Sequence, residues 1–129
     1  IMRFRDRAFF VAAMAAAALV ATADGQVSAH ERQQLETVLQ TNEALRVFQS
    51  WDAATTFRRF LDAMDQQADG REAAFQAVSV LGDNPGSAAA LMRLALLIAQ
   101  ADGGINAAER QVLTELCDEL GLDAGHLLG

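Results

Sequence analysis

One stretch of this chain is written twice. Ala21-Thr22-Ala23-Asp24-Gly25-Gln26-Val27-Ser28-Ala29-His30-Glu31-Arg32-Gln33 is answered by Ala99-Gln100-Ala101-Asp102-Gly103-Gly104-Ile105-Asn106-Ala107-Ala108-Glu109-Arg110-Gln111. Ala, Asp, Gly, Glu, Arg and Gln recur in register at one constant offset, while Val27 and Ser28 become Ile105 and Asn106. An apolar run precedes each copy, Ala16 to Val20 or Leu94 to Ile98, and an amphipathic run follows through Leu35 and Leu39 or Leu113 and Leu116. Glycine readily takes the left-handed conformation that closes a helix. Ser or Asn three residues ahead of Glu opens the next one as a capping box, each side chain taking an orphan backbone N–H. The pattern therefore dictates helix, Asp-Gly turn, helix, used twice, in repeat units of about 8–40 and 88–121. The segment between them, about 41–86, matches neither and reads as a helical insert, which excludes a solenoid.

Taken in order, the periodicity predicts a first helix from about Phe4 to Ala23 and a second from Ser28, as N-cap, to near Gln40. Thr41-Asn42 opens a short helix with Leu45, Val47 and Phe48, and Ser50 and Asp52 cap a longer one, with Trp51 at its start, carrying Phe57, Phe60, Leu61 and Met64. Asp69-Gly70 is expected to end it, with a helix from Arg71 to about Leu81 next. After the turn Gly82-Asp83-Asn84-Pro85-Gly86, Ser87 is the expected cap of a helix from Ala88 to Ala101. Apolar nearly all round, that helix is the expected centre of the fold. Glu109 repeats the box with Asn106, Gly121 stops the last long helix, and Asp123 caps a final turn with Leu127 and Leu128. The fold class expected is all-α: one compact multi-helix domain over 1–129, with a pseudo-twofold pair of helix–turn–helix units. Few aromatics, one proline and no tyrosine agree with close-packed helices rather than a sheet.

The start of the chain imitates a secretory leader: Met2-Arg3-Phe4-Arg5-Asp6-Arg7, then alanine-rich apolar sequence, then Ala21-Thr22-Ala23 as a small-residue cleavage site. Cleavage there would cut immediately before Asp24-Gly25, and the second copy carries the same apolar helix before Asp102. Ile1 also precedes the methionine. The stretch reads instead as the first core helix, too alanine-rich and short for a membrane span.

A net charge of −7 opposes nucleic acid, since binding there relies on basic side chains neutralising phosphates. Cys117, the sole cysteine, falls in the helical pattern Leu113, Leu116, Leu120 and reads as core. His30 and His126 sit in no catalytic motif, and no zinc-protease pattern, phosphate loop or nucleophile elbow occurs. The chain is therefore expected to bind rather than catalyse.

Asp24-Gly25-Gln26-Val27-Ser28-Ala29-His30-Glu31 matches the latter half of an EF-hand loop, with a carboxylate before the glycine and a glutamate at the bidentate position. The leading aspartates are missing: Val20 and Thr22 stand there in one copy, Ile98 and Gln100 in the other. Neither copy is a calcium loop alone. Pooled across facing turns, Asp24, Glu31, Asp102 and Glu109 form a candidate site for a divalent cation, calcium first. The same residues are also accounted for without metal, the glutamates as capping partners and the aspartates as turn formers. Arg32 and Arg110 are candidates to neutralise Asp24 or Asp102, in which case the cluster needs no ion.

These features together resemble the tellurite-resistance TerB family and the related N-terminal domain of membrane-anchored J-domain co-chaperones. The resemblance rests on the helix ending in Ala23-Asp24-Gly25 with Ser28-Ala29-His30-Glu31, a variable middle, and Leu94 to Gly103 leading to Asn106-Ala107-Ala108-Glu109 and Leu120-Gly121-Leu122. It implies an all-helical cytoplasmic domain, with or without attachment at the inner membrane face, linked to metal binding and to resistance to tellurite and other stress. Asp24, Glu31, Asp102 and Glu109 are the acids it implies, and a TerC-like membrane protein is the kind of partner. A metal-independent interaction module docking a membrane-associated or chaperone partner is the alternative.

Overall fold

The computed structural model describes residues 4–25, 27–41, 53–101 and 104–128, with side chains from residue 7 onward. Seven α-helices and no strand occur among them: α1 Phe4–Ala21, α2 Ala29–Thr41, α3 Ala53–Gln66, α4 Gly70–Ser79, α5 Pro85–Ala99, α6 Ala107–Leu120 and α7 Ala124–Leu128. A 3-10 turn, Val80–Asp83, joins α4 to α5. The expected short helix after Thr41 and the caps at Ser50 and Asp52 lie outside the described residues, as does Trp51.

The centre of the bundle is α1, not α5. Ala12 to Val20 are buried without a break, and α3, α4, α5 and α6 all pack around them. Small side chains explain the difference: an alanine-rich helix lets neighbours approach from every side, whereas α5 leaves Arg93 and Leu97 in solvent. The leader-like sequence is thus a core helix, and no helix among the described residues is long and apolar enough to cross a membrane.

Helix ends follow local chemistry. α1 stops at Ala21, and Gly25, at φ 129°, turns the chain where a side chain would be strained. Gly121, at φ 70°, ends α6 in a Schellman arrangement: its N–H donates to the Asp118 carbonyl and Leu122 N–H donates to that of Cys117. α5 is capped by Asn84, whose side chain accepts from Ser87 N–H at 3.1 Å, with Pro85 at the first position. The cap expected at Ser87 therefore sits three residues earlier, where proline's fixed φ already suits a helix start. Gly70 opens α4 rather than closing α3.

Cys117 is fully buried, and burial, with the charges of Asp118 and Asp123, raises its thiol pKa. Little nucleophilic thiolate forms. An aromatic disulfide reagent at mildly alkaline pH is expected to leave the native protein untouched and to label it fully in denaturant; labelling of the native fold would contradict this burial. Because the unfolded chain releases this proton first, stability falls as pH rises through the ordinary thiol range.

Candidate functional site

Both copies of the repeated turn form their capping boxes. Glu31 N–H donates to Ser28 Oγ at 3.1 Å and Ser28 N–H donates to Glu31 Oε1 at 3.2 Å. In the second copy Glu109 N–H donates to Asn106 Oδ1 at 2.8 Å and Asn106 N–H to Glu109 Oε1 at 3.0 Å. Each glutamate spends one carboxylate oxygen on its helix, and the other makes no hydrogen bond among the described residues.

The two copies meet. Asn106 Nδ2 donates to Asp24 Oδ2 at 3.4 Å, so the cap of the second turn holds the aspartate of the first. Replacing Asn106 by alanine removes a cap worth about 1 kcal/mol together with this link. Asn106→Ala is therefore expected to lower stability more than Ser28→Ala, as read by chemical denaturation; equal losses would show that the link contributes nothing.

Equivalent in sequence, the units differ in how their second helices dock. α6 buries Val112, Leu113, Leu116, Cys117 and Leu120 against the bundle. α2 rests chiefly on α3, burying only Glu36 and Leu39. Its anchor is a bidentate ion pair: Arg58 Nε donates to Glu36 Oε1 at 2.7 Å and Nη2 to Oε2 at 3.0 Å. With Arg58 half exposed, the pair contributes more to the pose of α2 than to stability. Sequence reading passed over Glu36, whose signal is an acid three residues from Leu39, on the side of the helix that faces the bundle.

Held on α3, α2 leaves a cleft of about 360 Å³ against the ends of α1 and α5. Val20, Leu35, Val38 and Ile98 give it apolar walls, and Asp24, Glu31 and Glu109 also line it. Three of the four acids expected at the site therefore share one cleft. The fourth, Asp102, lies outside the described residues, although the preceding Ala101 is part of the lining. Sharing a cleft is not coordination: among the described residues no three His, Cys, Asp or Glu side chains are grouped so as to hold a metal ion.

The repeated arginines do not neutralise Asp24. Arg32 lines a neighbouring cleft of about 540 Å³ with Asp62, Asp65 and Arg71. Arg110 Nη1 donates to the Leu128 carbonyl at 3.4 Å, fastening α7 to α6. The expected pairing of an arginine with Asp102 falls on a residue outside the described ones.

A family model described as tellurite resistance protein TerB matches residues 10–127. No curated protein and no solved structure matches the chain.

Proposed function

Because the chain belongs to the TerB family over nearly its whole length, we propose that it is a binding domain of tellurite-type stress resistance that docks a protein partner in the cleft beside α2. One observation carries this reading: a half-open cleft in which apolar walls and the acids Asp24, Glu31 and Glu109 stand together. The role is binding, with no catalytic step assigned.

A bacterial host lacking its own family member tests this. The wild-type chain is expected to restore growth on tellurite, and Val38→Glu, which charges the cleft wall, to lose that rescue while circular dichroism stays helical. Full rescue by folded Val38→Glu would sink the docking role, and a wild type that rescues nothing would sink the stress role.

A second reading, a divalent cation at the turns, is favoured by the glutamate oxygens left over from both capping boxes. The described acids are too few for a hard cation, which takes six to eight oxygens as calcium. Asp102 is required to complete the set. Calorimetry with calcium and manganese is expected to show saturable binding in the wild type and none in Asp24→Asn with Asp102→Asn; heats that persist in the double variant would reject the site.

A further inference from the structure

Resting on the docking reading above, we propose that the cleft between α2 and the ends of α1 and α5 receives a basic amphipathic helical segment of a partner protein. The shape comes first. α2 is held by α3 and the Glu36–Arg58 pair, and its half-buried Leu35 and Val38 line the cleft together with Val20 and Ile98. Helix-in-groove recognition uses such a trough, filled by apolar anchors spaced at i, i+3, i+4 and i+7.

Charge selects among amphipathic segments. Asp24, Glu31 and Glu109 line the same cleft, no arginine is among its described lining residues, and the chain carries −7 overall. A partner helix with arginine or lysine flanking its apolar anchors is steered in and held, and an acidic one is repelled. A guanidinium or ammonium group suits these acids better than a bare ion does. It carries its own apolar stem to lie on the walls, and it needs only one or two carboxylates, where a metal needs several converging on a point.

The probe is a fluorescein-labelled amphipathic peptide of leucine and arginine, titrated by anisotropy in chelator-treated buffer so that no metal contributes. Two control peptides replace its arginines by glutamate or its leucines by glutamine. Thr37 and Gln34 are exposed and line the cleft, whereas Gln76 is exposed on α4 away from it. Thr37→Arg and Gln34→Arg are expected to weaken binding roughly tenfold, and Gln76→Arg, the same charge change, by less than about threefold. Both control peptides are expected to fail. Equal weakening by all three variants would reduce the effect to overall charge, and binding that survives loss of the leucines would remove the trough from it; either overturns the proposal. Self-association of the protein alone, abolished by Thr37→Arg in sedimentation, would make a second copy the occupant and overturn it as well. A peptide insensitive to Thr37→Arg while Val38→Glu still abolishes rescue in cells removes this ligand and leaves the docking role standing.

Discussion

Gly70→Ala is expected to cost about 3 kcal/mol or more, at the upper end of what overpacking does to a close-packed interior. For a chain of this length that lowers Tm by roughly 10 °C. Helix propensity alone predicts the opposite sign, since alanine is favoured over glycine within a helix by up to about 1 kcal/mol. Gly70 begins α4, is buried, and does not adopt a positive φ. What excludes a side chain is the end of α3: an added Cβ would meet the carbonyl oxygen and carbon of Ala63 and lie 2.7 Å from the amide nitrogen of Met64. These are backbone atoms, so no rotamer relieves the clash. α4 would have to move off α3, and α4 is the most extensive neighbour of the central helix α1. Gly104→Ala is the matched control, with nothing within 4 Å of its added Cβ, and should stay within about 0.5 kcal/mol of wild type. Thermal melts followed by far-UV circular dichroism decide it; an unchanged or raised Tm in Gly70→Ala would refute the close approach.

The same dipeptide therefore does different work at its different occurrences, and this marks where sequence stops specifying structure. Asp24-Gly25 closes a helix and Asp69-Gly70 opens one, though both read alike on paper. Capping boxes were legible because a Ser or Asn and a Glu three residues apart bond to each other's backbone with no help from the rest of the fold. The Gly121 stop and the Asp123 start of α7, where Gly125 N–H donates to Asp123 Oδ1 at 3.0 Å, are local in the same way. Centrality was not legible. Both α1 and α5 are apolar, and which one lies innermost depends on how many neighbours can approach, a property of side-chain size all round the helix rather than of hydrophobicity. The Glu36–Arg58 pair spans separate helices and leaves no periodic trace.

Much the same division holds at the cleft. Asp24, Glu31 and Glu109 were marked by repetition, and the Asn106 to Asp24 hydrogen bond links the second copy's cap to the first copy's turn. The apolar walls were not marked as site residues. Leu35 reads as one position of an amphipathic run, Val38 drew no reading, and only the docking of α2 on α3 brings the two into the lining of a cleft. Two units with one sequence pattern thus differ in how deeply their second helices dock: α6 buries a whole face in the bundle, and α2 only Glu36 and Leu39.

Ala15→Leu separates a core helix from a membrane or leader helix more sharply than any property of the native chain, because the two environments give opposite signs. In lipid, leucine is among the most favourable residues at a helix centre. Inside this bundle Ala15 is fully buried midway along a run of nine buried residues, Ala12 to Val20, with α3, α4, α5 and α6 packed around α1. The added branched carbons have no solvent side to turn to. They force neighbouring helices apart or an unfavourable rotamer, and the expected loss is about 3 kcal/mol. Leu97→Ala supplies the contrast on α5: nearly half its side chain is already in water, so truncation there should change stability by less than about 1 kcal/mol. Urea denaturation measures both. An Ala15→Leu midpoint equal to wild type would mean that α1 is not enclosed on all sides, and the bundle's layering around it would have to be redrawn.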